Sequence, residues 1–194
     1  MRKSVGLVAV CGLILMAGLA WAQRPRMNPR RPIQLTPATR QDESVVPMVT
    51  TVTKLSATPA TIQFTANSPG SSVAGNSTAT VTWTASGGTA GNTWTLNVYA
   101  NSTSFTGCTT VLPSAVGVSC TSASATGQKT TANCQSGGPF ALPTTAPGQQ
   151  VASGNEGDAG TKTYNIVLTY QFADSWEYIP NTCPITITYT VNAP

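Results

Sequence analysis

The sequence predicts an all-β protein, an antiparallel β-sandwich of about 7–9 strands, preceded by a signal peptide and a disordered linker. Three observations carry that expectation. Apolar and polar residues alternate with period two in successive runs. Turn-forming clusters of Gly, Pro, Asn and Ser separate those runs, and no stretch beyond the first 22 residues holds a 3.6-residue period. Irregular loop lengths favour a sandwich with crossing connections over an even up-and-down barrel.

Residues 1–22 combine Arg2 and Lys3, an apolar run from Val5 to Ala20, and Ala20-Trp21-Ala22. These are the three parts of a cleavable secretory signal. The run is shorter than the roughly 18 apolar residues of a helical span and is broken by glycines, so no membrane span is expected in the mature chain. Val10 precedes Cys11, where a lipidated cysteine would follow a small residue. Cys11 therefore leaves with the signal, and Gln23 begins the mature chain.

Residues 23–47 carry Pro25, Pro29, Pro32, Pro37 and Pro47, together with Arg24, Arg26, Arg30, Arg31 and Arg40. Little apolar content accompanies them, so the segment is expected to be a solvated, disordered linker. Its arginines could tether the chain electrostatically to an anionic envelope surface. Residues 48–194 form one sandwich domain. From residue 50 onward, Lys54, Lys129 and Lys162 face Glu156, Asp158, Asp174 and Glu177. The formal charge of +4 thus belongs to the N-terminal segments, and the clustered basic face that nucleic acid requires is missing from the body.

Strands are expected near 48–55, 60–66, 78–85, 93–100, 115–121, 128–134, 161–172 and 183–192, with weaker extended pieces near Phe105, Phe140 and Val151. Val81 and Trp83, then Trp94, Leu96 and Val98, then Ile166, Leu168, Tyr170 and Phe172 mark inward faces. Ile62, Phe64, Val116, Val118, Ile185, Ile187, Tyr189 and Val191 complete the expected core. Threonines fill the alternate positions, where β-branched polar residues suit a solvated pleat. A one-residue slip would turn a whole strand inside out, so the register is firmly specified.

Cys108, Cys120, Cys134 and Cys183 form an even set, which in an exported chain points to two disulfides. A metal site is not expected: the spacings are wide and the sequence has no histidine, whereas zinc favours close Cys pairs or a His partner. Three connectivities are possible; the favoured one joins Cys108 to Cys120, stapling the Pro-containing excursion Thr109–Ser119 onto the following strand, and Cys134 to Cys183, tying a middle segment to the start of the last strand.

The absence of histidine also removes Ser-His-Asp and Cys-His catalysis. Lys54, Lys129 and Lys162 lie in Thr-rich contexts without a Ser-x-x-Lys motif and are expected to be solvated. Four body carboxylates are few for glycoside cleavage. The chain is therefore expected not to be an enzyme and to need no cofactor. Gly154-Asn155-Glu156-Gly157-Asp158-Ala159-Gly160 lacks the spacing of a calcium loop and is expected to be a polar hairpin turn. Asp174, Trp176, Glu177 and Tyr178 are the candidate ligand-binding residues, since loop aromatics flanked by carboxylates can stack on sugars and accept their hydroxyls; the favoured reading of this loop is an aromatic folded back over the sandwich edge.

A signal, a short linker, Thr-rich alternating strands and a closing Tyr189-Thr190-Val191 resemble the plan of bacterial secreted immunoglobulin-like modules. Trp94-Thr95-Leu96, with Tyr189-Thr190-Val191 in the second position, is also similar to the paired Trp-x-Leu motifs of the WxL cell-surface family. These resemblances imply an immunoglobulin-like sandwich, and the second implies attachment at the cell wall. The expected protein is secreted or held at the cell envelope, in the periplasm or on the cell surface. Its expected role is structural, adhesive or ligand-binding, and its partners are an envelope component, a glycan or another surface protein. A carbohydrate-binding module and a pilus-like subunit assembling by strand addition are the alternatives.

Overall fold

Alternation becomes strand throughout the body. The computed structural model describes residues 32–39, 51–65, 69–89, 91–158, 160–176, 178 and 183–193. The expected signal, 1–22, lies outside them, as does most of the expected linker. Among the described residues the strands are β1 (Pro32–Thr39), β2 (Thr51–Thr58), β3 (Ile62–Thr65), β4 (Ser72–Ala74), β5 (Ala79–Ser86) and β6 (Thr93–Ala100). They continue with β7 (Val116–Thr126), β8 (Asn133–Cys134), β9 (Phe140–Ala141), β10 (Gln149–Asn155), β11 (Lys162–Ala173) and β12 (Pro184–Asn192). The count exceeds seven to nine because β4, β8 and β9 are two- or three-residue pieces.

Two sheets face one another as a β-sandwich. One runs β3-β1-β12-β6-β10-β8; the other runs β2-β5-β11-β7-β9, with β4 pairing the end of β11. All pairings are antiparallel except β1 with β12, which is parallel. The linker expectation is thus corrected at residues 32–39. Ile33 and Leu35 are a short period-two signal in the sequence, and β1 lies between β3 and β12, with Leu35 in register with both Ile62 and Ile185.

Each inward residue named from the sequence is buried, from Ile62 and Phe64 through Trp83 and Trp94 to Val191. Two bulges shift the phase of the alternation. An extra residue in β10, Val151, separates Gln150 from Ala152 in the ladder with β6, and both Val151 and Ala152 are buried. In β7 the ladder with β11 slips between Cys120 and Ser122. The inward positions then pass from the even residues Val116 and Val118 to the odd residues Ala123 and Ala125, as a bulge requires.

Gly154 illustrates a position where only glycine fits. It pairs with Trp94 across the β6–β10 ladder. A Cβ there would collide with the carbonyl oxygen of Thr131 and come within 2.8 Å of the Trp94 ring.

Across the core, Tyr170 of β11 meets Tyr189 of β12, their hydroxyls 2.8 Å apart. Burial raises the Tyr170 phenol well above 10 and the Tyr189 phenol to about 12. In the unfolded chain both titrate near 10, so above that pH the unfolded state binds fewer protons than the folded one. Stability is expected to be flat up to about pH 10 and to fall between about pH 10 and 12, by up to about 1.4 kcal/mol per pH unit for each phenol. Urea midpoints at pH 8, 10 and 11 measure this, and Tyr189→Phe should flatten the alkaline slope. An unchanged slope in that variant would contradict the assignment.

Candidate functional site

The cysteines define the first constrained region, and they correct the expected pairing. Cys108 is bonded to Cys183, 75 residues away, with Cα atoms 5.7 Å apart. Cys120 is bonded to Cys134, 14 residues away, with Cα atoms 5.2 Å apart. The cause is topological. β6 and β12 are antiparallel neighbours, with Ala100 opposite Ile187, so the chain leaving β6 runs beside the segment that enters β12. Backbone bonds from Asn101 N–H to Thr186 O (3.2 Å) and from Thr106 N–H to Pro184 O (2.9 Å) hold the two together, and Cys108 lies opposite Cys183. The other bond joins β7 of one sheet to β8 of the second.

The loop after β11 carries the expected ligand-binding residues, and the structure divides them. The Asp174 backbone is fastened to the neighbouring turn: its N–H donates to Ser71 O, and its carbonyl accepts from Gly70 N–H, both at 3.0 Å. Its side chain is buried. Tyr178 closes a turn by donating its N–H to Ser175 O at 3.1 Å, and its ring packs on Phe172 with centroids 5.5 Å apart. Trp176 sits at the tip of that turn and is 70% exposed. Glu177 lies outside the described residues. Among the described residues of this turn, Trp176 is the large side chain presented to solvent, while Tyr178 packs toward the core.

A second feature carried no sequence signal, because its residues come from three strands and a loop. Thr93, Thr95, Thr131, Asn133, Ser153 and Asn155 line an open hollow of about 480 Å³ beside Trp94. The lining is rich in hydroxyls and amides, but Trp94 is 1% exposed, so the hollow offers hydrogen bonds without a stacking ring.

In the Gly154–Gly160 run, Gly154 and Asn155 end β10, and Ala159 lies outside the described residues. Glu156 is buried, and the Tyr164 hydroxyl donates to its backbone carbonyl at 3.2 Å. Asp158 pairs with Lys129 at 3.0 Å on the surface. Burial first, and the Glu156 charge second, push Tyr164 up to about 12. Among the described residues no group of three or more His, Cys, Asp or Glu is placed to hold a metal ion. Lys162 departs from the solvated expectation: it occupies an inward position at the start of β11, is 1% exposed, and donates its Nζ to Gly87 O.

Fold and cross-links together define a disulfide-braced β-sandwich. Disulfides of this kind belong to oxidising, extracytoplasmic compartments, and among the described residues no helix is long and apolar enough to cross a membrane. In comparisons with known proteins, the chain matches no family model and no curated protein.

Proposed function

We propose that the chain is a non-catalytic protein of the cell surface or secreted space whose role is structural or adhesive. The observation that supports this reading best is the bracing of the sandwich. One disulfide joins the two sheets at their edge, and the other ties the excursion after β6 to the start of the last strand. Such cross-links constrain the unfolded chain, which suits a module that must endure outside the cell. The chemistry of the body points the same way. The sequence holds no histidine, Asp158 is engaged by Lys129, and Glu156 and Asp174 are buried.

A carbohydrate-binding role is the second reading, supported by the exposure of Trp176. A large aromatic ring held out on a braced turn is a stacking platform for a sugar face. Tyr178, packed on Phe172, would then position the turn rather than touch the ligand.

One experiment weighs both readings. The full-length chain is expressed with its leader in a bacterial host, and its mass, surface accessibility and glycan retention are measured. The structural reading expects a mature chain starting at Gln23, without a lipid adduct, that is removed from intact cells by external protease or recovered from the medium. Retention in the cytoplasm would overturn it. The saccharide reading expects retention on insoluble glycans that Trp176→Ala reduces at least tenfold with an unchanged far-UV spectrum. No retention across a broad panel overturns that reading alone.

A further inference from the structure

The placement of β1 is the least expected feature of the fold. It precedes every other described strand, yet it lies inside a sheet, with β3 on one side and β12 on the other. Six residues, Gln34 to Thr39, pair in parallel with Pro184 to Tyr189, and four, Pro32 to Leu35, pair antiparallel with Ile62 to Thr65.

Both walls of the slot are held by contacts that do not involve β1. β12 is paired over six residues with β6, and its entrance is tied by the Cys108–Cys183 bond. β3 is fastened to the connection between β4 and β5: Gln63 N–H donates to Asn76 Oδ1 at 2.8 Å, and Asn76 N–H donates to Gln63 O at 2.9 Å. Phe64 also packs on Phe172 of the opposite sheet, ring centroids 5.8 Å apart. β12 thus stands as one wall within its sheet without β1, while β3, whose strand partner is β1, is held as the other wall by the Asn76 and Phe172 contacts; β1 is the occupant between them.

The occupant is weakly held. Pro37 sits within the β12 ladder opposite Ile187, beyond the end of the β3 pairing at Leu35, and proline has no N–H to give to a ladder; only Gln34 and Leu35 are paired on both sides. The β1–β12 pairing is parallel, the orientation with slightly less stability per residue. Without β1, however, β3 and β12 would each expose an unpaired edge, a template for another strand, above Ile62, Phe64, Ile185 and Ile187, all buried in the folded chain. The groove therefore requires a strand but does not require the strand of its own molecule. Eleven residues, 40–50, separate β1 from β2. They can reach at most about 36–40 Å, well beyond the roughly 10 Å between packed sheets.

We infer that residues 32–39 form an exchangeable strand, seated in their own groove in the single chain and in the β3–β12 groove of a second copy in an assembly. The inference rests on the structural reading proposed above and names the partner: another copy of this chain. Exchange of an identical element preserves every native contact, so it carries little free-energy cost. Exchange in one direction leaves a free groove on one copy and a free strand on the other, so that repeated one-way exchange builds a linear chain of subunits.

Thr36 and Thr186 are register partners across the β1–β12 ladder, and their pairing can be trapped covalently. Full-length chains carrying Thr36→Cys alone and Thr186→Cys alone are mixed at about 100 μM under mild oxidation, and a non-reduced peptide map is read for a link between positions 36 and 186. In the mixture that link can only join two molecules. The expected result is a covalent dimer containing it, accompanied by higher species when a chain carrying both substitutions is oxidised. If the doubly substituted chain closes only within itself and the mixture yields no such link, β1 is a permanent part of its own sheet and the inference is overturned, while surface accessibility still supports the structural reading. If neither forms the link, the β1 register itself is wrong and the inference falls with it.

Discussion

Trp83→Ala is expected to destabilise the folded chain by about 3–5 kcal/mol, the range for removing a large aromatic from a packed core. The size follows from what the indole touches. Trp83 is 1% exposed. It stacks on Tyr164, its partner across the β5–β11 ladder, with centroids 5.0 Å apart and planes at 15°. It also meets Trp94 of the opposite sheet edge-on at 5.0 Å and 78°, while Trp94 contacts Tyr164 at 5.1 Å. One truncation thus opens a cavity between the sheets and removes two aromatic pairs, each worth about 0.5–1.5 kcal/mol beyond burial. Ordinary domains have about 5–15 kcal/mol in total, so the variant should lose a large part of its resistance to urea. Trp176→Ala, at an exposed turn, is the internal control and should stay within about 0.5 kcal/mol. A loss below about 1 kcal/mol for Trp83→Ala would mean that the three-ring cluster does not hold the sheets together.

The same cluster marks how far local pattern reaches. Trp83 and Trp94 lie in phase within alternating runs, so their burial follows from period two alone, as does the inward face of β11 from Tyr164 to Phe172. Pattern fails where a structural partner is distant. β1 has only Ile33 and Leu35 as a signal among prolines and arginines, and its place depends on a groove formed by strands more than twenty and more than a hundred residues later. The bulges at Val151 and near Thr121 are absorbed by neighbouring ladders and leave no mark in composition. Lys162 reads as solvated from its polar neighbours, yet its position in the β11 alternation is inward, and the Gly87 carbonyl accepts its ammonium. At the candidate site, the loop aromatics are evident in Trp176 and Tyr178, but which ring faces solvent depends on Phe172 beneath Tyr178.

The cross-links are the other place where distant topology overrides proximity, and removing them should have the second large effect. In the chain-entropy account, a bond closing 75 residues stabilises by about 4.5 kcal/mol and one closing 14 residues by about 3 kcal/mol. Cys108→Ala with Cys183→Ala should therefore lower stability more than Cys120→Ala with Cys134→Ala. The long bond also anchors the start of β12, a wall of the β1 groove, so its loss should loosen that side of the sheet as well. Urea unfolding of the two double variants measures the difference; a larger loss from the short bond would overturn the ranking. The pairing itself can be read from a non-reduced tryptic map. Cleavage after Lys54, Lys129 and Lys162 separates 55–129, with Cys108 and Cys120, from 130–162, with Cys134, and 163–194, with Cys183. The Cys108–Cys183 and Cys120–Cys134 bonds hold all three peptides in one species. Bonds between Cys108 and Cys120 and between Cys134 and Cys183 would instead release 55–129 by itself. A further cut after Pro113 by a prolyl endopeptidase splits the first peptide between its cysteines, and the piece with Cys108 must then travel with the piece that holds Cys183, and the piece with Cys120 with the piece that holds Cys134. Any other partition would displace Cys183 from the end of β6 and, with it, the β6–β12 pairing that frames the groove.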